Sequence, residues 1–219
     1  MKKQQLFLDM QSNRVKGLGY ELFTPDTTEP GKKYPLILFL HGAGERGNGK
    51  DELARVEING VSKYVGTGAW DLPAFVAAPQ CPNEYVWPDL TTELGALLDE
   101  IQKEYPIDVD RVTVTGLSMG GYGTFSMGIA FPGRFAALAP ICGGGISWMA
   151  GNIGKTPTWI FHGDADGVVP VANSLMMYDT IRNFGGNVEL TLLHGVDHGS
   201  WDFAYERTRL IDWLLAAKR

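Results

Sequence analysis

Apolar residues in this chain gather into short runs separated by longer segments of helical spacing. Leu36–Leu40 is an unbroken apolar run between Pro35 and His41-Gly42, and Phe75–Pro79 is a second. Runs of this length, bounded by turn residues, predict strands covered on both faces. Tyr20–Thr24 alternates and stops at Pro25-Asp26, predicting an earlier, partly exposed strand, whereas residues 1–16 are polar and predict no defined element. Further strands are predicted at Val112–Val114, Phe135–Cys142, Thr158–Phe161 and Val188–Leu193. Between them, Leu94, Leu97, Leu98, Ile101 and Tyr105 form one apolar stripe of an amphipathic helix that Pro106 ends. A short helix is predicted over Asp51–Val56 and another from Ser118 to Phe131. Leu175, Tyr178, Ile181 and Phe184 mark a third, closed by Gly185-Gly186, and a last helix spans Phe203 to Ala217. Strands alternating with helices predict an α/β fold, with a mostly parallel sheet and helices on both faces. The chain, residues 1–219, reads as one such domain with no segment long enough for a sizeable lid.

Bulk properties narrow the picture. A formal charge of −6 argues against nucleic acid and anionic membrane surfaces as partners. No apolar run approaches the roughly 20 residues of a membrane span. The first residues, Met1-Lys2-Lys3, begin like a leader, but the apolar part ends at Asp9, so no export signal is read there. A cytoplasmic chain and a domain of a longer secreted protein both stay open. Cys81 and Cys142 lack metal-ligand spacing and read as two free, buried thiols. No metal and no organic cofactor are implied.

In an open parallel sheet the ligand crevice lies beyond the C-terminal strand ends. The Gly-rich and polar loops of this chain all follow predicted strands, so they converge there. One of them is Gly116-Leu117-Ser118-Met119-Gly120-Gly121, a Gly-x-Ser-x-Gly pattern between a β-branched run and a helix. That is the form of a nucleophile elbow, a sharp turn that lifts a serine hydroxyl above the sheet. A serine hydroxyl is a weak nucleophile unless a histidine takes its proton and a carboxylate orients that histidine.

There are four histidines. His41 and His162 stand in His-Gly pairs directly after strands, where loop shaping is the better reading, and His194 ends the last strand. His198, in the loop after that strand, is the candidate base. For the acid, the loop His162-Gly163-Asp164-Ala165-Asp166-Gly167-Val168-Val169-Pro170 offers Asp164 and Asp166. Either yields the chain order Ser, Asp, His found in α/β-hydrolases. His41-Gly42-Ala43-Gly44-Glu45-Arg46-Gly47-Asn48-Gly49, with four glycines in nine residues, is a loop whose backbone takes unusual dihedrals or approaches something closely. Glu45 and Arg46 in it are expected to pair and buttress the loop.

Four stretches carry a family resemblance: Leu40–Gly47, Ala78-Pro79-Gln80-Cys81-Pro82, Gly116–Gly121 and His162–Pro170. From Tyr20 onward the chain resembles α/β-hydrolase carboxylesterases, namely the phospholipase/carboxylesterase group and its predicted-peptidase and polyhydroxybutyrate depolymerase-like relatives. The resemblance implies an α/β-hydrolase fold and a catalytic triad of Ser118, Asp166 and His198, selecting Asp166 over Asp164. It implies an oxyanion hole formed by the N–H groups of Met119 and Ala43, with Gly44 as the alternative to Ala43. Gly44, Trp87 and Trp201, with Tyr85, are the candidate substrate-pocket residues, lying in loops at the predicted cleft.

The expected activity is hydrolysis of carboxylic esters through an acyl-enzyme. A small-molecule or polysaccharide-linked ester is the expected partner, and an open cleft favours short-chain or bulky acyl groups. The alternatives are a serine peptidase or amidase on the same triad, and a silent binding module of the same fold.

Overall fold

The computed structural model describes all 219 residues. Eight strands form one sheet: β1 (Lys2–Asp9), β2 (Gly17–Thr24), β3 (Tyr34–Leu40), β4 (Phe75–Pro79), β5 (Ile107–Leu117), β6 (Ala137–Ile141), β7 (Thr158–Gly163) and β8 (Val188–Leu193). Their order across the sheet is β1-β2-β4-β3-β5-β6-β7-β8. The first two pairings, β1 with β2 and β2 with β4, are antiparallel, and all the others are parallel. Six α-helices cover it: α1 (Gly60–Gly66), α2 (Thr91–Glu104), α3 (Met119–Ala130), α4 (Ala172–Asn183), α5 (Ser200–Arg207) and α6 (Leu210–Ala216). This is the α/β-hydrolase arrangement, with no large additional domain. No helix is long and apolar enough to cross a membrane.

The continuous apolar strands serve two cores at once, because successive side chains point to opposite faces. Leu36, Leu38 and Leu40 of β3 pack with Leu94, Leu97 and Leu98 of α2 and Phe125 of α3. Ile37 and Phe39 of the same strand join Val61, Tyr64, Tyr205, Leu210 and Leu214 from α1, α5 and α6 on the other face.

Several elements depart from expectation. Residues 2–9 form β1, paired with β2 from Lys2 opposite Thr24 to Asp9 opposite Gly17. Its polar residues face water because it is a sheet edge, where charged side chains are the norm, while Leu6 and Leu8 pack on the core. The expected helix at Asp51–Val56 is a 3₁₀ turn over Leu53–Glu57, and α1 follows it. β5 extends well beyond Val112–Val114, and β6 is shorter than Phe135–Cys142. On α4 the buried face is Ser174, Met177 and Ile181, and Phe184 beyond its end is 64% exposed. The last helix breaks at Thr208, whose backbone is extended and whose Oγ1 accepts the Leu210 N–H at 3.1 Å. The same hydroxyl donates back to the Ala204 carbonyl at 2.6 Å, closing the first helix.

Two loops at the C-terminal strand edge are clamped together. The His41 imidazole Nε2 accepts the Cys81 N–H at 3.0 Å, which assigns the ring proton to Nδ1, and Nδ1–H donates to the Gly42 carbonyl at 2.6 Å. The Trp87 indole N–H donates to the His41 carbonyl at 2.9 Å. The Gln80 amide donates to the Glu45 and Glu52 carbonyls and accepts the Gly49 N–H. The Pro79-Gln80-Cys81 stretch thus braces the glycine-rich loop after β3. Cys81 and Cys142 are free and buried.

Burial pushes the His41 imidazole down to about 4, opposed in part by its bond to Gly42. An unfolded chain takes up this proton near the ordinary histidine value of about 6.5. Between these values the unfolded state holds more protons, so the stability is full above the upper value and falls as pH drops towards the lower. We predict that this residue alone removes about 3 kcal/mol of unfolding free energy between about pH 7 and pH 4. Urea unfolding of His41→Gln should show a correspondingly shallower pH dependence than the parent protein. Equal dependences would refute the assignment.

Candidate active site

β5 ends at Leu117 and α3 begins at Met119, leaving Ser118 alone to make the turn. Its backbone has φ 54°, a left-handed conformation that non-glycine residues rarely adopt. Crowding explains the glycines around it. A Cβ on Gly120 would lie 1.8 Å from the Leu40 carbonyl oxygen, and one on Gly116 would lie 2.5 Å from the Gly120 carbonyl oxygen. The Ser118 N–H donates to the Ile141 carbonyl at 2.9 Å, tying the turn to the end of β6.

The loops after β7 and β8 bring Asp166 and His198 to this serine. Ser118 Oγ lies 2.9 Å from His198 Nε2, and His198 Nδ1 lies 2.7 Å from Asp166 Oδ2. The other carboxylate oxygen, Oδ1, accepts the N–H groups of Val168 and Val169, both at 2.8 Å. Burial pushes the Asp166 carboxyl up, but the bonds from His198, Val169 and Val168 outweigh it and hold the group below the usual carboxylate range. An ionised Asp166 accepts a proton-bearing Nδ1, which leaves Nε2 free to accept from the serine hydroxyl.

Asp164, the other acid of this loop, does different work. Its carboxylate accepts the Gly195 N–H at 2.7 Å and lies 2.8 Å from His194 Nδ1, outside the site. Asp197 accepts the N–H groups of Gly167 and His198, joining the acid and histidine loops.

His162 shapes the loop, and it also touches Asp166. Its Nε2 lies 2.9 Å from the Val169 carbonyl and 3.2 Å from Asp166 Oδ2. Nδ1 lies 2.7 Å from the Ser174 hydroxyl, which also donates to the Gly143 carbonyl at 3.0 Å. Burial pushes this imidazole below its ordinary value, opposed in part by the Val169 carbonyl and Asp166. Asp166 thus faces two histidines, a relationship that the His-Gly pattern in sequence does not reveal.

Cys142, at the end of β6, also has a left-handed backbone, with φ 41°. Its Sγ, an Asp166 oxygen and a His198 nitrogen all lie within 4.8 Å of one another. The three do not suit a metal: burial pushes the thiol up to about 12, and the other two atoms are spent on each other. Cys142 is a free, buried thiol beside the pair.

Ala43 and Met119 line one groove, and Gly44, exposed like Ala43, does not. Met119 opens α3, so its N–H has no intrahelical acceptor. Trp87 departs from its expected place in the pocket. It is fully buried, committed to the His41 carbonyl and packed beneath Gly123. Tyr85 points away too, donating its hydroxyl to the Arg14 carbonyl at 2.8 Å. Trp201 stands edge-on to the His198 ring, with centroids 5.3 Å apart. Glu45 and Arg46 do not pair: Glu45 accepts from the Asn59 amide, and Arg46 donates to the Ala43 and Asn83 carbonyls.

Among curated proteins the chain is similar to a poly(3-hydroxyoctanoate) depolymerase of Pseudomonas fluorescens, 28% identical over 74% of this chain and 67% of that one. It is also similar to feruloyl esterase C of Emericella nidulans, 26% identical over 80% of this chain and 64% of that one. Among solved structures it superposes on a thermostable esterase with a TM-score of 0.79 and 38% identity, over 98% of this chain and 63% of that one. The chain therefore spans about two thirds of the length of each. The family model for phospholipases and carboxylesterases matches residues 27–207, and the chain belongs to that phospholipase/carboxylesterase family.

Proposed function

We propose that the protein is a serine carboxylester hydrolase in which Ser118 is the nucleophile, His198 the general base and acid, and Asp166 the orienting carboxylate. The observation that carries this reading is the unbroken line of hydrogen bonds from Ser118 Oγ through the His198 ring to Asp166. His198 Nε2 takes the hydroxyl proton as Ser118 Oγ attacks the ester carbonyl. The N–H groups of Met119 and Ala43 receive the developing oxyanion, each such donor contributing on the order of 3 kcal/mol. Ala43 is preferred to Gly44 because it shares a groove with Met119. Collapse of the intermediate releases the alcohol, which receives its proton from His198. Water, activated by the same ring, then frees the acid. Asp166 keeps its charge throughout and stabilises the imidazolium.

The substrate reading is a small-molecule or polysaccharide-linked ester. It is supported by the ester-acting relatives, a depolymerase and a feruloyl esterase, and by the absence of a large extra domain over the strand ends. The whole chain, residues 1–219, acts as one unit in this reading.

Three expectations test it. Ser118→Ala should lose turnover of short p-nitrophenyl esters by a factor of about 10⁴ or more while keeping its circular dichroism and melting behaviour, and it should no longer label with a fluorophosphonate. Retained turnover would overturn the assignment. Asp166→Asn should lower kcat by about 10⁴, whereas Asp164→Asn should stay within a few-fold of the parent. The reverse ranking would transfer the orienting role to Asp164. Across acetyl, butyryl, lauroyl and feruloyl esters, a preference for lauroyl would contradict an open cleft.

A further inference from the structure

A groove of roughly 380 Å³ runs beside the elbow, lined by Ala43, Arg46, Val86, Pro88, Met119 and Tyr122. Its walls are apolar apart from the Arg46 guanidinium and the Tyr122 hydroxyl. Arg46 is half-buried, held by Nε–H donating to the Ala43 carbonyl at 3.0 Å and Nη1–H donating to the Asn83 carbonyl at 3.1 Å. A guanidinium carries five donors, so these two bonds fix the plane and leave the Nη2 side unspent. No acid answers it. Arg46 enters none of the ion pairs of the molecule, which include those of Arg55, Arg134 and Arg219. The neighbouring Glu45 is turned inward to Asn59, and the Asp89 carboxylate accepts the Val86 N–H. None of the groove residues is acidic.

The position of the groove says which part of an ester enters it. The leaving oxygen must come within hydrogen-bond reach of His198 to collect its proton. No residue of the histidine loop or of the acid loop lines the groove, whereas both Ala43 and Met119 do. Its occupant is therefore the other substituent of the reacting carbon, the acyl chain. We propose that this groove is the acyl site and that Arg46 gives it a preference for acyl chains ending in a carboxylate, namely half-esters of short dicarboxylic acids such as adipic acid. The methylenes lie against Val86, Pro88 and Tyr122, and the terminal carboxylate meets the free edge of the guanidinium in a charge-assisted pair. This inference rests on the esterase reading above, and it assigns the chemistry of the acyl half of the substrate.

The test compares methyl hydrogen adipate with methyl hexanoate, which has the same acyl length and no second carboxylate, by pH-stat at low salt. A charge-assisted contact at a half-buried site should make kcat/KM about tenfold higher for the adipate half-ester. The preference should shrink as salt rises. Arg46→Gln should bring the ratio to one or below, and Arg46→Glu should invert it. Because Arg46 also holds the Ala43 carbonyl, the ratio is the readout, and a loss shared equally by both esters would make Arg46 a support of the loop alone. A methyl-hexanoate preference in the parent enzyme, or an adipate preference that survives Arg46→Gln, would overturn the proposal. So would a preference that appears only when the carboxylate sits on the alcohol side, as in 4-acetoxybutyrate. Calorimetric binding of the same two methyl esters to Ser118→Ala separates this proposal from the catalytic one. Tighter binding of methyl hydrogen adipate, abolished by Arg46→Gln, would sustain the acyl site even if neither ester were hydrolysed, and equal binding would refute it.

Discussion

The close approach of three backbones at the end of β3 is the constraint on which the site depends. The turn from β5 into α3 passes so near the Leu40 carbonyl that a methyl group on Gly120 would sit 1.8 Å from it. Only glycine satisfies that geometry, and the consequence is passed to the neighbouring residue. Ser118 takes up the left-handed backbone that completes the turn. The strain is tolerated because the turn is over-determined: its N–H bonds to β6, and its carbonyl accepts the Tyr122 N–H to start the helix. The same contact brings the start of α3 beside the loop leaving β3, so Met119 and Ala43 come to share one groove. A single packing requirement thus places the serine turn beside the groove that Met119 and Ala43 line.

How much of this was legible in the sequence depends on what kind of signal each feature leaves. The central strands were readable because Leu36–Leu40 is apolar at every position, and both of its faces are covered. β1 was not, because an edge strand needs few apolar residues and Lys2-Lys3-Gln4-Gln5 looks like a polar tail. The break at Thr208 was hidden because the apolar residues on either side of it, Ala204, Tyr205, Leu210, Ile211 and Leu214, keep helical spacing. Phe184 fits the helical spacing and yet is exposed, because it lies beyond the last turn of α4.

The site shows the same division. The strand-end loops could be listed from the sequence, and so could the order of serine, acid and histidine. The choice between Asp164 and Asp166 could not be made from spacing, since both are acids in one loop. It came from the family resemblance, and the physical difference lies in their partners: Asp166 receives the Val168 and Val169 N–H groups and turns its other oxygen to His198, while Asp164 ties down Gly195. Trp87 misled because an aromatic residue in a strand-end loop suggests a pocket wall, and its burial under the glycine-rich loop leaves no local mark. Its indole N–H is instead one of the fixed points holding the His41 carbonyl.

The four histidines show how burial and partners assign roles within one residue type. His41 and His162 are buried, pushed below the ordinary histidine value by desolvation, and each has both ring nitrogens engaged by the scaffold. His194 is fully exposed and bonds to Asp164 at the surface. His198 is the one ring that bridges a buried carboxylate and a serine hydroxyl. Keeping the other two buried rings uncharged matters electrostatically. A cation at His162, 3.2 Å from Asp166, would compete with His198 for the field of that carboxylate. His162 Nε2 is bonded to the Val169 carbonyl, in the loop that also gives Asp166 its two backbone N–H groups. In the proposed reaction, the negative charge of Asp166 then serves the imidazolium that would form on His198.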